Sequence, residues 1–319
     1  MPAAQLTVYV AYHDSRPHPA AGQAPYVALC NVDRAGHRPT GFDHYDDGGG
    51  LPTKNELYCE LSAQRHLEQR AGGEYLGLCH YRRMFVTARS PRRYAPRSYL
   101  LSAWDWSRLD RHGATEADLL QAVAGRQWCT TPPYDVRWSG NVSLWDQYCD
   151  YHPEPFLFVL RDVVRDLHPE LPDFRDWLCR TTRLPFFNMF IGRRDRVVQY
   201  GAWLWPLLAE CERRIGVPDD RYQRRYPGFL AERLHGYWLA CVAPRDMSVG
   251  HIPVAVVDPE GIVNSHSAAP AGHRRRQRLA GLRPAPSSGL ASRAVQASPF
   301  ALRVAVNRAL RALPGERSR

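Results

Sequence analysis

The 319-residue sequence contains a single lysine, Lys54, and lacks several features that would assign it to a familiar class. No apolar run approaches the roughly 18–20 residues that a membrane helix needs. Residues 1–17 show no basic segment ahead of an apolar one, so we expect no secretory signal and a cytoplasmic protein. The eight cysteines have no Cys-x-x-Cys spacing, which argues against a zinc site and predicts small buried thiols.

The formal net charge of +10 is concentrated at the end of the chain. Residues 263–319 carry eleven arginines and one acid, whereas basic and acidic residues balance over 1–262. This shift predicts a catalytic-type domain at 1–262 and a basic, largely disordered tail at 263–319. Residues 299–313 alternate apolar and arginine residues in a way that fits a basic amphipathic helix. Such a helix could hold the protein at the inner face of an anionic membrane.

Alternating strand and helix patterns predict an α/β fold. Leu6–Ala11 and residues 74–79 have the character of buried strands, and between them a helix is expected from a capping box at 53–56 to about 70. A strand, a helix and a strand without a hairpin signal predict a parallel unit. We expect a third strand at 185–192, further helices near 116–124, 142–150, 154–167, 195–214 and 229–242, and a surface excursion at 84–115.

Two basic segments are candidate anion sites. Lys54 opens the first helix, where free backbone amides favour a negative group, although an ordinary helix cap is the simpler interpretation. His80, Arg82 and Arg83 follow a buried strand, and ligands of open α/β sheets bind at the carboxyl ends of strands. Two arginines there could neutralise a diphosphate, or they could form a solvent-facing turn.

Glu232 is the candidate general base because it lies among apolar residues early in a predicted helix. Burial there would raise the pKa of its carboxyl group into a useful range. An ion pair with the adjacent Arg233 is the alternative, and residue types alone favour it.

Four blocks, taken in order, resemble a bacterial family from capsular and exopolysaccharide loci. They are KNELYCEL (54–61), YLGLCHYRRMF (75–85), FFNMFIGRRDRVVQYGAWLWPLLAECERRI (186–215) and YPGFLAERLHGYW (226–238). The family is known as a domain of unknown function and is regarded as glycosyltransferase-like, and the match covers about residues 6–243. The resemblance implies a GT-A-like nucleotide-sugar-binding fold with a mostly parallel central sheet flanked by helices.

The resemblance also implies residue roles and partners. Glu232, Arg82 and Arg83 would be catalytic, with a nucleotide-diphosphate sugar as donor and a saccharide or lipid-linked acceptor. Donor contacts are expected from Tyr12, His13, Lys54, Asn55, Glu60, His80 and Tyr81, and acceptor-side contacts from Asn188, Met189 and His152. The chain has no Asp-x-Asp motif, so we expect Arg82 and Arg83 to replace a metal, with Asp43, Asp46 and Asp47 as the fallback metal ligands.

Two other functions remain open at this point. Family members tend to carry an Asp-Asn pair where this chain has glycines at 48–50, which keeps a non-catalytic scaffold of a polysaccharide assembly complex under consideration. The arginine-rich tail could bind nucleic acid, although the balanced charge of the body argues against that role.

Overall fold

The computed structural model describes residues 5–12, 23–30, 55–70, 72–87, 93–95, 98–101 and 110–257. The domain boundary at 262 and the tail predictions therefore lie outside the described residues. Within the described part, no helix combines the length and the apolar character that crossing a membrane requires.

Short strands supply the framework of the fold. Their bounds are β1 Leu6–Ala11, β2 Tyr26–Leu29, β3 Tyr75–His80, β4 Arg83–Phe85, β5 Arg93–Ala95, β6 Ser98–Leu101, β7 Trp128–Thr130, β8 Tyr134–Asp135, β9 Arg183–Leu184, β10 Phe190–Arg193, β11 Val249–His251 and β12 Val254–Val257. Ten of them form one sheet, and β8 and β9 pair separately.

Helices pack against this sheet. Their bounds are α1 Asn55–Tyr58, α2 Glu60–Arg70, α3 Glu116–Val123, α4 Leu144–Cys149, α5 Glu154–Leu167, α6 Phe174–Arg180, α7 Arg194–Ile215 and α8 Tyr226–Tyr237. Helices α3, α4 and α6 begin with a side-chain cap, and in α3 Thr115 and Asp118 form a reciprocal capping box.

Strand β3 is central to the sheet. It lies parallel to β1 over six residue pairs and antiparallel to β10, while β1 also lies parallel to β2. Beyond β10 come β7 and β11, and from the end of β3 the chain turns into β4, which is followed in the sheet by β12, β6 and β5. The pairings give seven of the ten strands one direction, with β4, β5 and β10 opposed. The predicted α/β fold, mostly parallel and flanked by helices, is confirmed.

The two faces of the sheet bury two separate apolar layers. Leu6, Val8 and Val10 point to the face that packs against α3. Tyr9 and Ala11, the alternate residues of β1, join the larger layer that contains side chains of α2, α7 and α8. Because side chains alternate along a strand, each residue at the end of β3 or β4 belongs to one layer only.

The structure changes three of the predicted elements. The helix expected at 53–70 is divided at Cys59, whose φ is +51°. The strand expected at 185–192 begins only at Phe190, because Phe187 and Asn188 adopt positive φ values that no strand accommodates. The excursion expected at 84–115 contains strands that pair within the main sheet, and the first of them is largely buried.

Candidate active site

One cluster of charged and polar side chains forms where the end of β3, the start of α2 and the first turns of α8 meet. Glu60 is the first residue of α2, His80 ends β3, and Glu232 lies on α8. Arg83 pairs with His80 across the β3–β4 turn. Residues far apart in the chain thus converge at the carboxyl end of a parallel strand, where α/β folds place their ligands.

A strained turn at Phe187 and Asn188 ties the cluster together. The Phe187 N–H donates to Glu232 Oε1 at 2.9 Å, and the Phe187 carbonyl accepts from His80 Nε2. Asn188 Nδ2 donates to Glu60 Oε1 at 2.8 Å and to the carbonyl of Gly228 at 3.0 Å. Positive φ costs on the order of 1–3 kcal/mol per non-glycine residue, so the surrounding contacts must hold this turn in place.

Cys59 is the third non-glycine residue with positive φ among the described residues, and it directly precedes Glu60. Its sulfur lies 3.0 Å from Nε of Arg225, which donates to it. All three such residues therefore border the same cluster. Backbone strain concentrated at one place is typical of functional sites.

Glu232 is paired, as the residue types favoured. Its Oε2 accepts from Arg233 Nη1 at 2.8 Å, and its side chain is 17% exposed against 2% for Arg233. Arg233 also donates to the Phe229 carbonyl and to Gln147. The Glu232 side chain is thus partly exposed, whereas its partner Arg233 is enclosed.

The two glutamates of the cluster are shifted in opposite directions. Burial raises the pKa of Glu232, and the nearby charge of Glu60 adds to this against the opposing effect of Arg233. Burial also acts to raise the pKa of Glu60, but His80, the Asn188 hydrogen bond and Arg225 outweigh it and lower that pKa. Such separation distinguishes a permanently charged carboxylate from one able to exchange a proton.

Burial lowers the pKa of His80, while the nearby charge of Glu60 opposes that shift. The His80 Nε2–H donates to the Phe187 carbonyl of the strained turn.

Arg82 and Arg83 make different contacts. The Arg83 guanidinium lies 4.2 Å from the centre of the Phe187 ring and interacts electrostatically with His80 and Glu232. The Arg82 guanidinium lies 5.5 Å from the Tyr81 ring, which in turn contacts Tyr12 at 5.8 Å. The cluster thus contains Arg83, with Arg82 on the side of the tyrosines.

The acceptor-side predictions have mixed placements. Asn188 is buried within the cluster, and its Oδ1 has no hydrogen-bond partner among the described residues. His152 stacks on Phe229 at 3.9 Å, one turn of α8 from Glu232, and burial together with Arg233 lowers the pKa of His152 to about 3. Met189 is fully buried in the apolar layer on the α3 side, so it presents no surface to an acceptor.

Several predicted residues lie outside the described residues, namely His13, Lys54, Asp43, Asp46 and Asp47. Asn55 begins α1, and only its backbone is described. Within the described ranges, no three His, Cys, Asp or Glu residues are grouped in a way that could hold a metal ion. The fallback metal site, which lies in residues that are not described, stays a prediction.

Two members of the cluster were not predicted from the sequence. Phe187 supplies both backbone groups that bind Glu232 and His80, and Arg225 acts on Cys59 and Glu60. A backbone contact leaves no signature in residue type, which explains the first omission. Arg225 belongs to an arginine pair just before a resembling block, so its position could have indicated it.

The chain is similar to known proteins in its sequence and in its fold. Residues 7–243 match a family described as a domain of unknown function, DUF4422. No curated protein matches the chain. Among solved structures, the fold is similar to that of the bifunctional glycosyltransferase WbbM in its apo form, with 21% identity and a TM-score of 0.71. The match covers 80% of this chain and 45% of that one, so the chain spans less than half the length of that enzyme.

Proposed function

We propose that this chain, which belongs to the DUF4422 family, is a glycosyltransferase that moves a sugar from a nucleotide diphosphate to an acceptor hydroxyl. The observation that carries the proposal is the pair Glu232 and Glu60, shifted in opposite directions beside Arg83 at the carboxyl end of β3. The fold shared with a glycosyltransferase supports the same reaction class.

Glu232 is the proposed general base. Its raised pKa makes it a better proton acceptor than an ordinary carboxylate, and its side chain is partly exposed. The acceptor oxygen forms the new bond to the anomeric carbon as its proton passes to Glu232. The bond between that carbon and the diphosphate oxygen breaks, and the diphosphate leaves with the electron pair.

Arg83 is the proposed partner of the leaving diphosphate, with Arg82 of the same turn as a second cation. A guanidinium can donate two parallel hydrogen bonds to a phosphate group. Arg83 is held against the Phe187 ring, so it is oriented before the donor arrives. Positive charge fixed where negative charge develops stabilises the transition state more than the bound donor.

Glu60 and Asn188 are the proposed contacts to the hydroxyl groups of the donor sugar. Glu60 is ionised and therefore accepts hydrogen bonds, and the unpartnered Oδ1 of Asn188 is a second acceptor. Tyr81, which is partly exposed beside Arg82, is the proposed contact to the nucleoside side of the donor, and the buried Tyr12 packs behind it.

The finer assignments belong to the same proposal. We place the acceptor among saccharides and lipid-linked saccharides of surface-polysaccharide assembly, on the strength of the resemblance described for the four sequence blocks. A divalent ion between the diphosphate and Asp43, Asp46 or Asp47 is the alternative to charge compensation by arginine. The predicted amphipathic helix at 299–313 would bring the enzyme to the membrane.

The test is a thermal-shift screen of the full chain with uridine, guanosine and thymidine diphosphate sugars, each with and without a chelator. A donor at a hundredfold excess over its dissociation constant should stabilise the folded state by about 2.7 kcal/mol. We expect this stabilisation to survive chelation and to disappear in Arg83→Ala. It should persist in Glu232→Gln, which should lose transfer activity.

Arg180→Ala is the matched control, because it removes a surface arginine whose side chain is 81% exposed on α6. Loss of donor binding in the control as well as in Arg83→Ala would reject the specific role of Arg83. If the stabilisation disappears with the chelator, a metal ion and not the arginines would compensate the charge of the diphosphate. No response to any donor would contradict the glycosyltransferase itself.

A further inference from the structure

Trp138 is an exposed tryptophan at the edge of the fold. Its side chain is 58% exposed, in contrast to the interior tryptophans Trp128 and Trp238, which are fully buried. Burying a large aromatic face contributes much of the binding energy at many recognition surfaces, so an exposed tryptophan on an ordered turn indicates a binding surface.

The turn that carries Trp138 is rigidly held. It follows β8, which pairs with β9 through Asp135 and Arg183. Asp135 caps the turn by accepting from the Arg137 N–H at 3.1 Å, and its carboxylate also binds the Arg137 guanidinium. The Ser139 hydroxyl donates to the Val136 carbonyl at 2.9 Å. A side chain presented by such a turn loses little conformational freedom when it binds a ligand.

A row of aromatic rings leads from Trp138 to the catalytic cluster. The Tyr134 ring lies edge-to-face 5.4 Å from Trp138, and Phe186 lies 6.1 Å from Tyr134. The guanidinium of Arg233, the partner of Glu232, lies 5.4 Å from the centre of the Phe186 ring. Tyr134 and Phe186 are both partly exposed. We call Trp138, Tyr134 and Phe186 the aromatic strip.

The inner end of the aromatic strip is fixed to the proposed general base. The Thr131 hydroxyl donates to the Phe186 carbonyl at 2.9 Å. The next residue, Phe187, donates its N–H to Glu232. The inner end of the strip therefore directly precedes the residue whose N–H binds the proposed general base.

We propose that the aromatic strip binds the acceptor as a saccharide chain, with sugar rings stacked on Trp138 and Tyr134 and the terminal hydroxyl directed to Glu232. The inference rests on the proposed function and specifies its acceptor. One face of a sugar ring consists of C–H groups. The partly positive hydrogen atoms of these groups complement the negative face of an aromatic ring. Stacking on both Trp138 and Tyr134 requires a saccharide of more than one unit.

Charged groups beside the strip favour a saccharide over a purely apolar partner. Arg137 and Arg183 are both anchored to Asp135, with side chains 49% and 68% exposed. Their guanidinium groups are directional donors for sugar hydroxyls and ring oxygens. Because the strip continues into a polar cluster that contains Glu232, we favour an oligosaccharide over a lipid surface.

The experiment measures binding of three tetrasaccharides, of galactose, mannose and N-acetylglucosamine, to the full chain by calorimetry. We expect the wild-type protein to bind at least one of them, Trp138→Ala to weaken that binding at least tenfold, and Trp138→Phe to weaken it less. Val217→Ala is the control, since Val217 is 66% exposed away from the strip and its replacement should change nothing. Stabilisation by the nucleotide sugar should be the same in wild type and Trp138→Ala.

Wild-type binding that Trp138→Ala leaves unchanged would overturn the inference, as would the absence of binding to all three tetrasaccharides. Attachment to phosphatidylglycerol vesicles that requires Trp138, without saccharide binding, would replace it with a membrane contact. If no donor stabilises the wild type while Trp138→Ala still weakens tetrasaccharide binding, the proposed function fails and the saccharide site stands.

Discussion

Glu68 gives this protein a pH-dependent stability that can be worked out from its surroundings. The side chain is only 7% exposed, between α2 and α7. Trp205 Nε1 donates to Oε2 at 2.7 Å and Gln64 Nε2 donates to Oε1 at 2.9 Å. Gly201 of α7 leaves the space that the carboxylate occupies. Burial nevertheless dominates over these hydrogen bonds and raises the pKa of Glu68 from 4.5 to about 7.

A raised pKa in a carboxyl group means that the folded protein holds a proton which the unfolded chain has already released. The free energy of unfolding therefore falls as pH rises from about 4.5 to about 7, and it levels off above that range. Each pKa unit corresponds to about 1.4 kcal/mol, so the shift lowers stability by about 3 kcal/mol across this window. Below about pH 4.5 Glu68 does not change the free energy of unfolding, because its carboxyl group is protonated in both the folded and the unfolded state.

The perturbation is Glu68→Gln, which keeps the shape of the side chain and removes the titration. Between pH 4 and pH 8, the free energy of unfolding of the variant should rise by about 3 kcal/mol relative to that of the wild type. Urea unfolding at several pH values measures it. Other titrating groups, such as His152 and His235 with pKa values near 3, cancel in the difference. Glu170→Gln, at a side chain 66% exposed, is the control. A pH-independent difference for Glu68→Gln would refute the reasoning.

Two further changes test the packing around the candidate site. A Cβ at Gly192 would lie 2.6 Å from the buried Trp128 ring, so Gly192→Ala should lower the free energy of unfolding by roughly 1–3 kcal/mol. Gly72→Ala is the control and should not lower it, because a Cβ at Gly72 would meet nothing within 4 Å. Equal effects of the two changes in urea unfolding would contradict this. Arg233→Met leaves the Glu232 carboxylate without its charged partner and should cost about 3–5 kcal/mol. The double variant with Glu232→Gln should recover part of that loss, and a double variant no more stable than Arg233→Met would argue against the ion pair as the cause.

Local patterns predicted the regular elements well. The bounds of β1 and α5 match their predicted ranges, because period-two and 3.6-residue apolar patterns follow directly from which side chains face the core. The parallel arrangement of β1 and β3 also followed from the order of elements. The break at Cys59 was not predictable, since no local signal marks a non-glycine residue that tertiary contacts force into positive φ.

The sequence by itself determined the fold class, the catalogue of charged residues and the concentration of arginines beyond 262. Only the tertiary structure decided which of those charges meet. It brought Glu60 to Asn188 across 128 positions of sequence, placed Arg83 against the Phe187 ring, and enclosed Arg233 while leaving the Glu232 side chain partly exposed. Secondary structure depends on short-range periodicity, whereas a titratable group's pKa depends on burial and on charges from distant segments. Those arise only when the chain has folded.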